Sequence, residues 1–108
     1  MQEQFDIPLA SLTTMHVGGP ARRLVVAETI DEIVDAVRET DDAGEPLLVL
    51  SGGSNLLIAD EGFPGTVVKI ANQGLEIEHD SDCGGVTVRV GAGVVWDDFV
   101  REACERDW

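Results

Sequence analysis

The sequence predicts an α+β fold, in which a small parallel βαβ lobe is followed by the start of an antiparallel lobe. Two patterns support this prediction. Between residues 24 and 50, two short apolar runs flank a stretch with helical periodicity, as in a βαβ unit. From residue 75 onwards, apolar and polar residues alternate, which is typical of antiparallel strands with one solvated face. The pattern changes near Asn72–Gly74, so we expect a boundary between residues 1–72 and 73–108.

The first lobe is predicted from signals for a strand, a helix and a second strand. Leu24–Ala27 and Leu47–Leu50 are continuous apolar runs, as expected for parallel strands buried on both faces. Between them, Thr29 and Glu32 have the spacing of a capping box, which begins a helix. The helix carries an apolar stripe at Ile30, Ile33, Val34 and Val37. We therefore expect two parallel strands joined by a right-handed crossover.

A third buried strand, Thr66–Ile70, is predicted to complete the first lobe, and a hairpin begins the second. Leu75–His79 and Val86–Val90 alternate strictly, with Asp80–Gly85 as the loop between them. A second helix follows, and we expect its apolar stripe to pack in a core: Trp96, Phe99, Val100, Ala103 and Cys104. A single hairpin with one helix is marginally stable in water. We therefore expect the second lobe to be incomplete and the chain to be a fragment.

The charge balance argues against nucleic-acid binding. The chain carries 21 Asp and Glu against 7 Lys and Arg, a net charge of −14, and such a surface repels phosphate backbones. No run approaches the length needed to cross a bilayer, and the polar start is not a signal peptide. The two cysteines match no zinc-binding spacing. We expect a cytoplasmic protein with no metal site and no nucleic-acid or membrane partner.

The segment that follows the strand Leu47–Leu50 is the best candidate for a ligand site. It contains two adjacent glycines, Gly52 and Gly53, at the carboxyl end of a parallel strand, where open α/β sheets bind ligands. Glycines let the backbone approach a ligand closely and turn several N–H groups towards phosphate oxygens. No Lys or Arg lies between Arg38 and Lys69, so we expect an anion to be held mainly by these local N–H groups. A tight turn alone also accounts for the glycine pair.

Longer motifs show a family resemblance. The run LVLSGGSNLLI (Leu48–Ile58) is preceded by TTMHVGGPA (Thr13–Ala21) and followed by ADEGFPGTVV (Ala59–Val68) and VGAGVVWD (Val90–Asp97). Together they closely resemble the amino-terminal part of the UDP-N-acetylenolpyruvoylglucosamine reductase (MurB) family, over Leu9 to Trp108. Many members of that family have glycine at the position of Ser51.

The resemblance implies an FAD-binding fold of the vanillyl-alcohol-oxidase (PCMH-type) class, in which two lobes hold FAD between them. Residues 1–72 then form the first FAD-binding subdomain, and residues 73–108 form the amino-terminal part of the second. The loop that wraps the FAD pyrophosphate corresponds to Leu50, Ser51, Gly52, Gly53, Ser54, Asn55 and Leu56. The family's catalytic residues are expected beyond Trp108, so no catalytic residue is assigned to this chain.

The resemblance also implies a function for the full-length protein. In the family, NADPH reduces FAD, and hydride then passes to UDP-N-acetylglucosamine enolpyruvate, which gives UDP-N-acetylmuramate for peptidoglycan synthesis, cell wall biogenesis, cell shape and cell division. The expected partners are FAD, NADPH and the UDP-sugar substrate, and the 108-residue chain alone is expected to be inactive. Two alternatives stay open: the FAD-binding lobe of another flavin oxidoreductase, and a non-catalytic acidic α/β module.

Overall fold

The structure, a computed structural model that describes all 108 residues, contains two separate β-sheets and two α-helices. The elements in chain order are β1 (Gln2–Pro8), a 3-10 helix (Leu9–Leu12), β2 (Pro20–Ala27), α1 (Ile30–Asp42), β3 (Leu47–Leu50), β4 (Phe63–Ile70), β5 (Leu75–Ser81), β6 (Gly85–Val90) and α2 (Trp96–Glu105). The predicted α+β class is confirmed. No helix combines the length and the apolar character needed to cross a membrane.

The first sheet has the strand order β1-β2-β4-β3. Strands β2, β4 and β3 are parallel, as the βαβ pattern predicts, but β4 lies between the two strands that α1 connects. Strand β1 was not predicted; it pairs antiparallel with β2 at the sheet edge. Its side chains are exposed except for the half-buried Ile7, so it has no apolar periodicity that sequence analysis could detect.

Both faces of the first sheet are covered by apolar side chains. Neighbouring residues of a strand point to opposite faces, so Leu24 and Val67 belong to one cluster and Val25 and Val68 to the other. The first cluster also contains Leu9, which follows β1, and the second contains Ala36 of α1. Burial on both faces explains why β2 and β4 read as continuous apolar runs. The edge strand β3 is less completely covered, with Leu50 buried and Val49 54% exposed.

The predicted capping box begins α1. The Glu32 backbone N–H donates to the Thr29 hydroxyl over 3.2 Å, and the Thr29 N–H donates to the Glu32 carboxylate over 3.3 Å. The Glu28 N–H also donates to this carboxylate over 2.7 Å. The Glu28 N–H, above all, together with the amino terminus and the Thr29 N–H, lowers the pKa of the Glu32 carboxyl group. The box therefore fixes the turn from β2 into α1.

The second sheet is the predicted hairpin, with β5 and β6 paired antiparallel from Leu75↔Val90 to Ser81↔Gly85. The expectation that α2 packs in a core is wrong. No residue of α2 is buried, Trp96 is 68% exposed and Cys104 is exposed. The reason is that a two-stranded sheet offers little apolar surface, and no other helix or strand packs extensively against α2.

Candidate functional site

A cleft of about 600 Å³ opens where β3 and β4 end. One wall is the loop that follows β3, and the other is the segment between β6 and α2. The lining residues include no acidic side chain and one cation: Ser51, Gly52, Ser54, Lys69, Ile70, Gly93, Val94, Val95 and Trp96. The carboxyl ends of parallel strands are where open α/β sheets place their ligands. In a chain with net charge −14, a cleft without a carboxylate suits an anionic ligand.

The backbone of the loop after β3 supplies free hydrogen-bond donors. None of the N–H groups of residues 51–55 donates to a backbone carbonyl or to a side-chain acceptor of the protein. Ser51, Gly52, Ser54 and Asn55 are exposed, so their N–H groups are open to water or to a ligand. Several unpaired N–H groups in one turn form a concave site for oxyanions. The loop therefore has the donors that a phosphate group requires.

The two glycines of this loop have different roles. At Gly52, an added Cβ would meet no protein atom within 4 Å, so this backbone faces open space. Gly53 is buried with φ +68°, and an added Cβ would overlap the carbonyl oxygen of Leu12 and lie 3.1 Å from the Cα of Thr13. Gly53 also accepts a 3.0 Å hydrogen bond from the Thr14 N–H. The structure thus leaves only Gly52 open to a ligand, whereas Gly53 packs the loop against the N-terminal segment.

Three of the segments that carry the family resemblance lie against one another: Thr13–Ala21 packs against Leu48–Ile58 and against the start of Ala59–Val68. Besides the contact at Gly53, an added Cβ on Gly18 would lie 2.9 Å from the Cβ of Ile58. The Gly19 N–H donates to the Ala59 carbonyl over 2.9 Å, and an added Cβ on Gly19 would overlap the backbone of Asp60. The glycines of the N-terminal segment are therefore needed for close packing beside the loop.

Ser51 connects the two walls of the cleft. Its hydroxyl donates to the Ala92 carbonyl over 2.6 Å, and its own carbonyl accepts a hydrogen bond from the Lys69 ammonium. Lys69 reaches Ser51 because β3 and β4 are paired in a register that places Lys69 opposite Leu50. The expectation that an anion is held mainly by local N–H groups did not include this lysine, which the fold brings to the loop. The one sequence signal was a single charged residue within an apolar run.

The structure brings part of the predicted site to the cleft. Ser51, Gly52 and Ser54 line it, whereas Leu50 is 1% exposed and belongs to the core. The other three predicted residues do not line the cleft: Gly53 is buried beside Leu12, Asn55 is exposed, and Leu56 packs against the core. Gly93 also lines the cleft; from the sequence, Gly91–Gly93 could either approach the cofactor or form a plain turn after the strand. The sequence did not predict Lys69 or Val94–Trp96 at the site, because they come from elements distant in the chain.

A second cleft, of about 430 Å³, lies where the two sheets are connected, beside Asn72 and Arg89. Its one cation, Arg89, is already paired with Glu78, which raises the pKa of the Arg89 guanidinium. No group of three His, Cys, Asp or Glu side chains that could hold a metal ion is present. The cleft beside Ser51 is therefore the better candidate for an anionic ligand.

A family model described as an FAD binding domain matches residues 21–108, which is most of the chain. The chain belongs to the FAD-binding domain family. The match includes both walls of the cleft beside Ser51. The predicted cofactor, FAD, and the predicted FAD-binding fold are confirmed.

Relatives of this FAD-binding domain are similar over nearly its whole length. The UDP-N-acetylenolpyruvoylglucosamine reductase of Cutibacterium acnes is 59% identical over 103 residues, which is 95% of this chain and 27% of the relative. The enzyme of the same name from Streptomyces avermitilis is 49% identical over 105 residues, 97% of this chain and 27% of the relative. The chain thus spans about a quarter of the length of these curated relatives.

A solved structure supports the same relationship. The crystal structure of UDP-N-acetylenolpyruvylglucosamine reductase (MurB) from Thermus caldophilus superimposes with a TM-score of 0.70 and 32% sequence identity. The match covers 98% of this chain and 34% of that chain. The resemblance read from the sequence, to the amino-terminal part of this reductase family, is confirmed.

Proposed function

We propose that this chain is the FAD-binding part of an NADPH-dependent reductase that converts UDP-N-acetylglucosamine enolpyruvate to UDP-N-acetylmuramate. Relatives named as this reductase, 59% and 49% identical over nearly the whole chain, support the proposal. The reaction belongs to peptidoglycan synthesis, so the protein acts in cell wall biogenesis, cell shape and cell division. Its proposed location is the cytoplasm, and its proposed partners are NADPH and the UDP-sugar substrate, with no nucleic acid or membrane.

The observation that carries FAD binding is the set of unpaired N–H groups at residues 51–55, of which Ser51, Gly52 and Ser54 line a cleft without acidic side chains. These donors fit the oxygens of a diphosphate, which prefers fixed N–H groups. We assign the FAD pyrophosphate to the predicted loop: Leu50, Ser51, Gly52, Gly53, Ser54, Asn55 and Leu56. Within it, Gly52 gives the ligand room, the Ser54 hydroxyl adds a donor, and Gly53 and Leu56 hold the loop in place.

The presence of two separate sheets supports the proposed domain division. We assign residues 1–72, with the four-stranded sheet and the diphosphate loop, to the first FAD-binding subdomain. Residues 73–108, with the hairpin and α2, form the amino-terminal part of the second subdomain. The cleft between Ser51 and Val94 lies where the two subdomains meet. When bound there, FAD supplies hydride transfer between NADPH and the enolpyruvyl ether.

The experiment uses the protein at its full natural length. We expect it to purify with visible flavin absorbance, or to gain this absorbance when FAD is added, and to oxidise NADPH when supplied with UDP-N-acetylglucosamine enolpyruvate. Absence of flavin binding would leave the non-catalytic acidic module as the better interpretation. Flavin binding without turnover of this substrate would point to another flavin oxidoreductase.

A further inference from the structure

Lys69 is the only lysine of the chain, and it differs from most of the other cations in having no carboxylate partner. Among the six arginines, five form ion pairs with carboxylates: Arg22, Arg23, Arg89, Arg101 and Arg106. The remaining arginine, Arg38, is exposed on α1. In a chain with 21 acidic residues, a cation without a carboxylate partner is free to pair with an anionic ligand.

The position of Lys69 directs this charge at the cleft. Lys69 lies in β4 between the buried Val68 and Ile70, its side chain is half-buried, and it lines the cleft. The ammonium donates to the Ser51 carbonyl, at the start of the loop that carries the unpaired N–H groups. An ammonium group has three N–H donors, and this contact uses one of them. Two donors are left for a ligand that occupies the cleft.

We propose that Lys69 is a diphosphate-binding residue, whose ammonium contacts a phosphate oxygen of the bound dinucleotide beside the loop N–H groups. The inference rests on the proposed function, because it assumes that the cleft holds FAD. It adds a charged contact to a site that sequence analysis expected to rely on local N–H groups. A charged donor of this kind strengthens a hydrogen bond to phosphate, and its contribution weakens as salt screens the charge.

The test compares Lys69→Met with wild type in FAD titrations of the full-length protein at increasing NaCl concentration. Methionine keeps an unbranched side chain without charge. We expect Lys69→Met to raise the Kd for FAD at low salt by about tenfold or more. We also expect its Kd to depend less on salt than that of wild type. Lys69→Arg retains the charge and should restore most of the salt dependence.

Arg38→Met is the matched control, because it removes the same charge from an exposed helix position outside the cleft. It should leave the Kd and its salt dependence unchanged. A higher Kd for Lys69→Met with the wild-type salt dependence would mean that Lys69 only braces Ser51, and this result overturns the inference. A Kd equal to that of Arg38→Met overturns it as well. If wild type itself binds no FAD, the proposed function fails first, and the inference fails with it.

Discussion

Alanine substitutions at Gly52 and Gly53 separate ligand binding by the loop from its packing. Gly52 has φ outside the left-handed region and no protein atom within 4 Å of an added Cβ. Gly52→Ala should therefore fold at least as well as wild type, with a gain of about 0.4–1 kcal/mol from lower entropy of the unfolded chain. The new methyl group would stand where the diphosphate approaches the N–H groups. Loss of one charged hydrogen bond costs about 1.5–3 kcal/mol, so the Kd for FAD should rise about tenfold to a hundredfold.

Gly53→Ala should act through stability. Alanine at φ +68° costs about 1–2 kcal/mol relative to glycine, and its Cβ would overlap the Leu12 carbonyl oxygen, so the N-terminal segment has to move. We expect Tm to fall by about 4 °C or more. The assays are FAD titration, followed by flavin fluorescence, and thermal unfolding without FAD. A wild-type Kd for Gly52→Ala would refute the assignment of the diphosphate to this loop, and a wild-type Tm for Gly53→Ala would refute the packing argument.

Three further predictions concern neighbouring features. Ser51→Ala removes the hydrogen bond to the Ala92 carbonyl that joins the two walls of the cleft. It should raise the Kd for FAD, measured by titration, about threefold to tenfold. An unchanged Kd would exclude a role of Ser51 in joining the walls. The ion pair with Arg22, above all, lowers the pKa of Glu45 from its usual 4.5. Glu45 therefore stabilises the fold at pH values above 4.5, and this contribution is lost as the pH falls through the lowered pKa. Glu45→Gln should therefore flatten the fall of Tm measured between about pH 6 and pH 3, and an equally steep fall would contradict the argument. The 108 residues produced alone should bind FAD much more weakly than the full-length protein, because their second sheet has only two strands; micromolar binding in titration calorimetry would overturn this.

The sequence predicts those helices and strands whose burial produces a periodic pattern of apolar residues. Strands β2 and β4 are buried on both faces, the edge strand β3 is partly buried and α1 packs one face against the sheet, so most of their apolar residues recur at the spacing of each element. Strand β1 is held by backbone pairing to β2 while its side chains face water, and such a strand leaves no pattern. The apolar stripe of α2 was read correctly as helical, but a stripe does not show whether a partner surface lies within the chain.

The sequence predicts the loop of the candidate site but not the cleft that this loop lines. The position of the loop follows from the strand before it and from its glycines, both of which are local in sequence. The partners of Ser51, namely Lys69 and Ala92, are 18 and 41 residues away along the chain. They meet Ser51 because β4 inserts between β2 and β3, and because the segment after β6 folds back onto the loop. Strand order and the placement of the second sheet are tertiary properties, which local patterns do not determine.

The placement of charge explains how an acidic chain can attract a diphosphate. A net charge of −14 opposes an anion at long range, but in physiological salt this repulsion is screened beyond about 8 Å. Within that distance, the cleft presents unpaired N–H groups and the Lys69 ammonium, and its lining includes no carboxylate. Five arginines are paired with acidic side chains away from the cleft lining, which leaves Lys69 as the cation of the cleft. Raising the salt concentration should therefore speed FAD association, because it screens the long-range repulsion, and also speed FAD dissociation, because it screens the Lys69 contact.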